Sequence, residues 1–92
     1  MELEQLRIFA ALCETRSFSA AARRLYKSHS SVSRAVSALE RELGVPLAVR
    51  DRSSFALTAA GEELYARTLP LLRETEALAA AVRAAGEHGA EL

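Results

Sequence analysis

The side chains best suited to chemistry lie between Ser28 and Arg41. His29, Ser30, Ser33, Arg34, Ser37 and Arg41 share one side of a helical repeat that Ser28 precedes as cap and further candidate contact, and no acid enters this stretch before Glu40. Short hydroxyls beside an arginine suit close approach to a groove of DNA, where they donate to phosphate oxygens and base edges. A neutral imidazole at His29 offers one donor and one acceptor pointing apart, and its donor favours guanine N7 or O6. The alternative is an amphipathic surface helix whose polar face meets only water, and the stretch taken alone leaves both open.

Other chemistry is harder to place. The sequence has no Gly-rich phosphate loop, no Cys-x-x-Cys pair and no His-Glu-x-x-His. His29 and His88 sit in unrelated settings, so no metal site is expected, and no cofactor. Glu40 with Glu42, and Glu62 with Glu63, read as solvated helix surface rather than paired acids for catalysis. The expectation is a protein that is not an enzyme.

The elements that must carry the polar face follow from apolar spacing. Val32, Ala35, Val36, Leu39 and Leu43 form a buried stripe opposite it, with Ser28 as N-cap and Gly44 then Pro46 as the stop. Before it, Leu3 to Glu14 reads as a helix with Leu3, Leu6, Phe9, Ala10 and Cys13 on one face and Ile8 and Leu12 flanking it. Ser17 or Ser19 can cap a short second helix, Phe18 to Tyr26, which Ala20, Ala21 and Ala22 make slim enough for a close crossing. Two helices joined through Lys27 and Ser28 form a helix-turn-helix, with Tyr26 where such turns often have glycine and Lys27 where an apolar residue is usual. After Gly44, the runs Val45 to Arg50 and Phe55 to Thr58 flank Asp51-Arg52-Ser53-Ser54 and read as a small hairpin, a wing. Its basic residues Arg50 and Arg52 are candidates for phosphate contacts.

Thr58 caps a last helix expected to run to about Ala85, with a kink at Pro70 and a frayed tail from Gly86. Leu64, Leu71 and Leu78 fall seven residues apart, and Thr68, Thr75 and Val82 follow each by four. This heptad seam asks for a partner helix, a second copy in a homodimer; the alternative is that it folds back on its own domain. The fold class expected is mainly α: a winged helix-turn-helix with a small β-hairpin wing and a long C-terminal linker (dimerisation) helix. The division expected is a DNA-binding domain over 1–58 and a linker helix with its tail over 59–92.

A chain of 92 residues, half of them hydrophobic, supports one modest core and no deep substrate pocket. Net charge is zero but uneven. From Arg16 to Arg52 eight basic residues stand against three acids, and from Ala59 onward three stand against six. A basic segment inside a neutral chain points to a localised polyanion site. The lone Cys13 fits a reducing compartment and, lying on an apolar stripe, a buried position. No run approaches the ~20 apolar residues of a membrane span, and the acidic N-terminus lacks a secretory pattern, so a cytoplasmic protein is expected.

The joint pattern Phe18-Ser19-Ala20-Ala21-Ala22, Leu25, Ser28, Val32-Ser33-Arg34, Leu39-Glu40, Glu42-Leu43-Gly44-Val45, Leu47, Arg50 and Leu57-Thr58 with Ala60-Gly61 resembles the N-terminal region of LysR-type transcriptional regulators. The resemblance spans nearly the whole chain. It implies promoter binding at an interrupted palindrome in double-stranded DNA, pairing of linker helices between subunits with higher oligomers in the full-length protein, and a small-molecule effector bound by a C-terminal domain that this chain does not include. It places DNA reading on His29, Ser30, Ser33 and Arg34 and a wing contact on Arg50. The sequence departs from the family at His29-Ser30, where Gln-Pro or Gln-Ser is common, at Ala48, where Phe is common, and at Ser53, where a basic residue is common. A winged helix serving protein contacts is the competing class, against which Arg23, Arg34, Arg50 and Arg52 argue.

Overall fold

The computed structural model describes residues 1–50 and 54–89, with Arg50, His88 and Gly89 described through their backbone alone. Its elements are α1 (Leu3–Thr15), α2 (Phe18–Leu25), α3 (His29–Leu43), β1 (Ala48–Arg50), β2 (Phe55–Leu57) and α4 (Ala59–Gly89). The mainly helical fold with a two-stranded wing is the one expected from the sequence.

Each of the first three helices is started and stopped by local chemistry. Gln5 Oε1 accepts from the Glu2 amide ahead of α1 (2.9 Å), Ser17 Oγ accepts from the Ala20 amide in α2 (3.1 Å), and Ser28 Oγ accepts from the Ser31 amide in α3 (3.1 Å). Of the two serines considered for α2, Ser17 is the cap. All three helices end on a left-handed residue: Arg16 at φ 56°, Tyr26 at 57° and Gly44 at 74°. Glycine meets this requirement without strain, whereas an L-residue with a Cβ is disfavoured there. Tyr26 therefore terminates α2 one residue earlier than its apolar pattern suggested.

The core lies where α1, α2 and α3 cross. Phe9 and Leu12 of α1, Ala21 of α2, Val32 and Leu39 of α3, and Leu47 before β1 are all essentially inaccessible to solvent. Ala21 and Ala22 give the close approach that their size allows, and Cys13 is buried among them. Burial, reinforced by the Glu14 carboxylate and opposed by Arg16, pushes the Cys13 thiol up to about 12.

The wing is an antiparallel pair with Ala48 opposite Leu57, Val49 opposite Ala56 and Arg50 opposite Phe55. It is tied down at Leu47. The Leu47 carbonyl accepts from the Thr58 amide (3.0 Å), while the Thr58 hydroxyl donates to the Pro46 carbonyl (2.7 Å) and accepts from the Gly61 amide (3.0 Å). Gly61 makes this approach possible: a Cβ there would sit 2.0 Å from the Leu47 oxygen.

α4 is a single helix of 31 residues that continues past Pro70. It also continues past Gly86 to Gly89, which corrects the expected frayed tail at those positions. Glycine in a helix interior is unfavourable by only about 1 kcal/mol relative to alanine, too little to end an established hydrogen-bond ladder. Among the described residues, no helix is long and apolar enough to cross a membrane.

Candidate nucleic-acid interface

The polar side of α3 divides into an exposed rim and a supporting row. Ser28, His29, Ser30, Arg34 and Arg41 are exposed; Ser33 and Ser37 are half-buried. Ser28 serves mainly as a cap: besides accepting from the Ser31 amide, its hydroxyl donates to Ser31 Oγ (2.9 Å) and lies 3.2 Å from Ser30 Oγ. Arg34 and Arg41 make no ion pair or hydrogen bond among the described residues, so their guanidinium groups stand available to an anion. His29 is exposed, and its ring centroid lies 5.7 Å from that of Phe18.

The wing residues are less completely placed. Arg50 ends β1 opposite Phe55, and its side chain lies outside the description. Arg52 lies outside the described residues altogether.

Part of the basic segment is committed internally. Arg16 donates from Nη2 to the Phe55 carbonyl (3.0 Å), with its guanidinium 5.5 Å from the Phe55 ring centroid. Arg24 pairs with Glu14 (2.6 Å) and Lys27 with Glu4 (3.3 Å). Lys27 occupies the turn position where an apolar residue is usual, and the ion pair with α1 gives its charge a partner there. The excess of positive charge available to a ligand is therefore smaller than the count of basic residues suggests.

Several residues that build the site do not announce themselves in the sequence. Glu40 is one, and its reading as solvated surface is corrected here. Its half-buried carboxylate accepts from the Leu47 amide (2.8 Å) and the Ala48 amide (3.4 Å), fastening the start of the wing to α3. The only sequence signal was an acid interrupting an otherwise acid-free helical face. Glu42 is exposed and pairs with the N-terminal amino group (2.8 Å). Phe18 and Phe55 meet edge to face at 6.2 Å and link α2 to the wing. Among the described residues, no group of His, Cys, Asp and Glu is placed to hold a metal ion.

The six seam positions of α4 separate into two sets. Leu64 is half-buried against the core and Thr68 is 1% exposed, so both are taken up inside the protomer. The Thr68 hydroxyl is buried with no hydrogen-bond partner among the described residues. Further along, Leu71 is 52% exposed and Leu78 and Val82 are 62% exposed, while the half-buried Thr75 donates to the Leu71 carbonyl (2.9 Å). A seven-residue repeat reports only that one face is apolar; the first turns of α4 spend that face on their own domain.

Three crossed helices, a capped second-to-third turn, and a hairpin fastened to the third helix define a winged helix-turn-helix. Residues 3–62 match the family described as bacterial regulatory helix-turn-helix protein, lysR family, and the chain belongs to that family. It is 38% identical over 88 residues, 96% of the chain, to the probable cat1 operon transcriptional activator of Acinetobacter lwoffii. It is 43% identical over 76 residues, 83% of the chain, to the Hca operon transcriptional activator HcaR of Escherichia coli. The chain spans only 29% and 26% of the lengths of those relatives. Among solved structures, the CbnR DBD–DNA complex superposes with a TM-score of 0.88 at 36% identity, covering 94% of this chain and 99% of that one. The BenM DBD bound to catB site 1 DNA gives 0.86 at 32% identity, covering 90% and 92%.

Proposed function

We propose that this chain is the DNA-binding part of a bacterial transcription regulator. In this reading α3 enters the major groove of double-stranded DNA with His29, Ser30, Ser33, Arg34 and Ser37 toward the bases. Ser28 shapes the helix start, and Arg50 and Arg52 of the wing meet the phosphate backbone. The observation that carries it is the face of α3, where an exposed Arg34 without an ion pair among the described residues stands among short hydroxyls in the first half of a helix packed on the core. DNA complexes of relatives with this fold at more than 30% identity support it.

Residues 1–58 form the DNA-binding unit in this reading, and 59–92 form the linker. The exposed Leu71, Leu78 and Val82 pair two copies into a homodimer that spans an interrupted palindrome. The complete regulator works in the cytoplasm and takes its small-molecule effector through a domain beyond this chain. The test is titration against a random duplex and against duplexes selected from a random pool, each at two salt concentrations. Specific binding that weakens steeply with salt is expected, because each neutralised phosphate releases counterions. Equal affinity for selected and random duplexes, or no salt dependence, would remove the reading.

A further inference from the structure

The first turn of α3 and the wing are joined by a row of side chains. His29 is the first residue of α3, and an exposed imidazole at such a place is ordinarily free to change rotamer. Here its ring lies 5.7 Å from Phe18, with 36° between the planes. Phe18 is the first residue of α2, 8% exposed and fixed from behind by the core. The Phe55 ring of β2 also meets it, at 72° and 6.2 Å between centroids, within the range of favourable edge-to-face contacts. Arg16 closes the row, lying over the Phe55 ring and donating to its carbonyl. Phe55 in turn is the strand partner of Arg50. A recognition-helix residue and a wing residue thus both bear on one buried ring.

We infer that Phe18 is a positioning residue for DNA recognition: its ring bears on both the His29 imidazole of α3 and the Phe55 ring of the wing, so that base reading and wing placement occur in one fixed geometry. This rests on the DNA-binding reading above and adds to it a specific coupling. Side chains that share no partner contribute to binding independently, whereas those joined through a shared contact do not. Among the described residues no ring contact joins His29 to Phe55 directly, and both rings contact Phe18, which makes Phe18 the shared partner through which the two would couple.

The experiment is a double-mutant cycle of His29→Ala and Phe55→Leu on the complete 92-residue chain. Affinity is measured for the best duplex selected from a random pool and for a random duplex, and the readout is their ratio. General loss of structure lowers both affinities, whereas loss of positioning lowers the ratio. In the otherwise unchanged protein the two substitutions are expected to depart from multiplicative behaviour in that ratio by threefold or more, roughly the smallest effect above ordinary additivity error. With Phe18→Leu as background the departure should fall below about twofold. Multiplicative behaviour in the unchanged protein overturns the inference, and so does a coupling that persists undiminished without the Phe18 ring. If Phe18→Leu does not fold, the first cycle alone decides. An unchanged protein that binds no duplex removes the DNA-binding reading itself, an outcome distinct from binding with independent effects.

Discussion

Replacing Thr68 by valine should make the protein more stable. The Thr68 side chain is 1% exposed on the inner side of α4, and its hydroxyl has no partner among the described residues. A buried hydroxyl without a hydrogen bond costs about 1–3 kcal/mol in proteins. Valine has nearly the same shape, so the change removes that term without opening a cavity, and the added methyl contributes up to about 0.8 kcal/mol of burial. Helix propensity is almost equal for the two residues and does not offset this. Allowing for imperfect fit, a gain of about 1–2 kcal/mol is expected. At the usual scaling for a chain of this size, that raises the melting temperature by roughly 4–15 °C. The control is Thr75→Val, because the Thr75 hydroxyl already donates to the Leu71 carbonyl from a half-buried position. It should change stability by no more than about 0.5 kcal/mol. Thermal and urea unfolding should be followed at one matched protein concentration, since association alters apparent stability. A Thr68→Val protein no more stable than the parent would refute the reasoning by showing that the hydroxyl is satisfied.

Gly61→Ala should lose at least about 2 kcal/mol, because its Cβ would meet the Leu47 backbone oxygen at 2.0 Å and one of the two segments must move; urea unfolding measures it. Cys13 should resist aromatic disulfide reagents at neutral pH until the protein unfolds. Because its folded pKa of about 12 lies above the ordinary thiol value, its contribution to stability is complete below about pH 8.5 and is lost as pH rises toward 12. Melting curves across that alkaline range, compared with those of Cys13→Ala, isolate the effect. Arg34→Ala should weaken binding to a selected duplex by about 1–3 kcal/mol if the contact is to a base edge, and by an equal factor on all sequences if it is to phosphate. Leu71→Asp should give monomers by sedimentation while preserving single half-site binding; a dimer that survives it would place the interface elsewhere.

The sequence carried the helix-turn-helix openly because its determinants are local. Ser17 and Ser28 cap the helices they precede, Ala21 and Ala22 mark the crossing, and the α3 stripe is buried from Val32 to Leu39, though its last member, Leu43, is exposed at the helix end where no described element covers it. What stayed hidden depends on contacts between distant residues. Nothing near Glu40 says that its carboxylate will meet amides seven and eight residues later. Arg16 meets Phe55 across 39 positions, so a residue that reads as free positive charge is a strut under the wing. The heptad on α4 treats Leu64 and Leu71 alike, since periodicity names a face but not what covers it. Gly86 reads as a terminator only when the helix around it is ignored.

The anchoring of α4 at one end gives it the mechanics of a lever. Its first turns are locked by the Gly61–Leu47 approach and the buried Thr68, while the rest projects from a molecule whose longest dimension is 59 Å. From Thr68 to Gly89 the free arm is roughly 30 Å long at 1.5 Å per residue, so a shift of about 3 Å at its tip turns the anchored end by only about 5°. Leu47 holds that end, and the same residue fixes the wing to α3 through Glu40. A rigid arm of that length would carry movement applied at the far end of α4 to α3 as a finely divided rotation of the helix-turn-helix, and two copies joined along it would have the angle between them set with the same gearing.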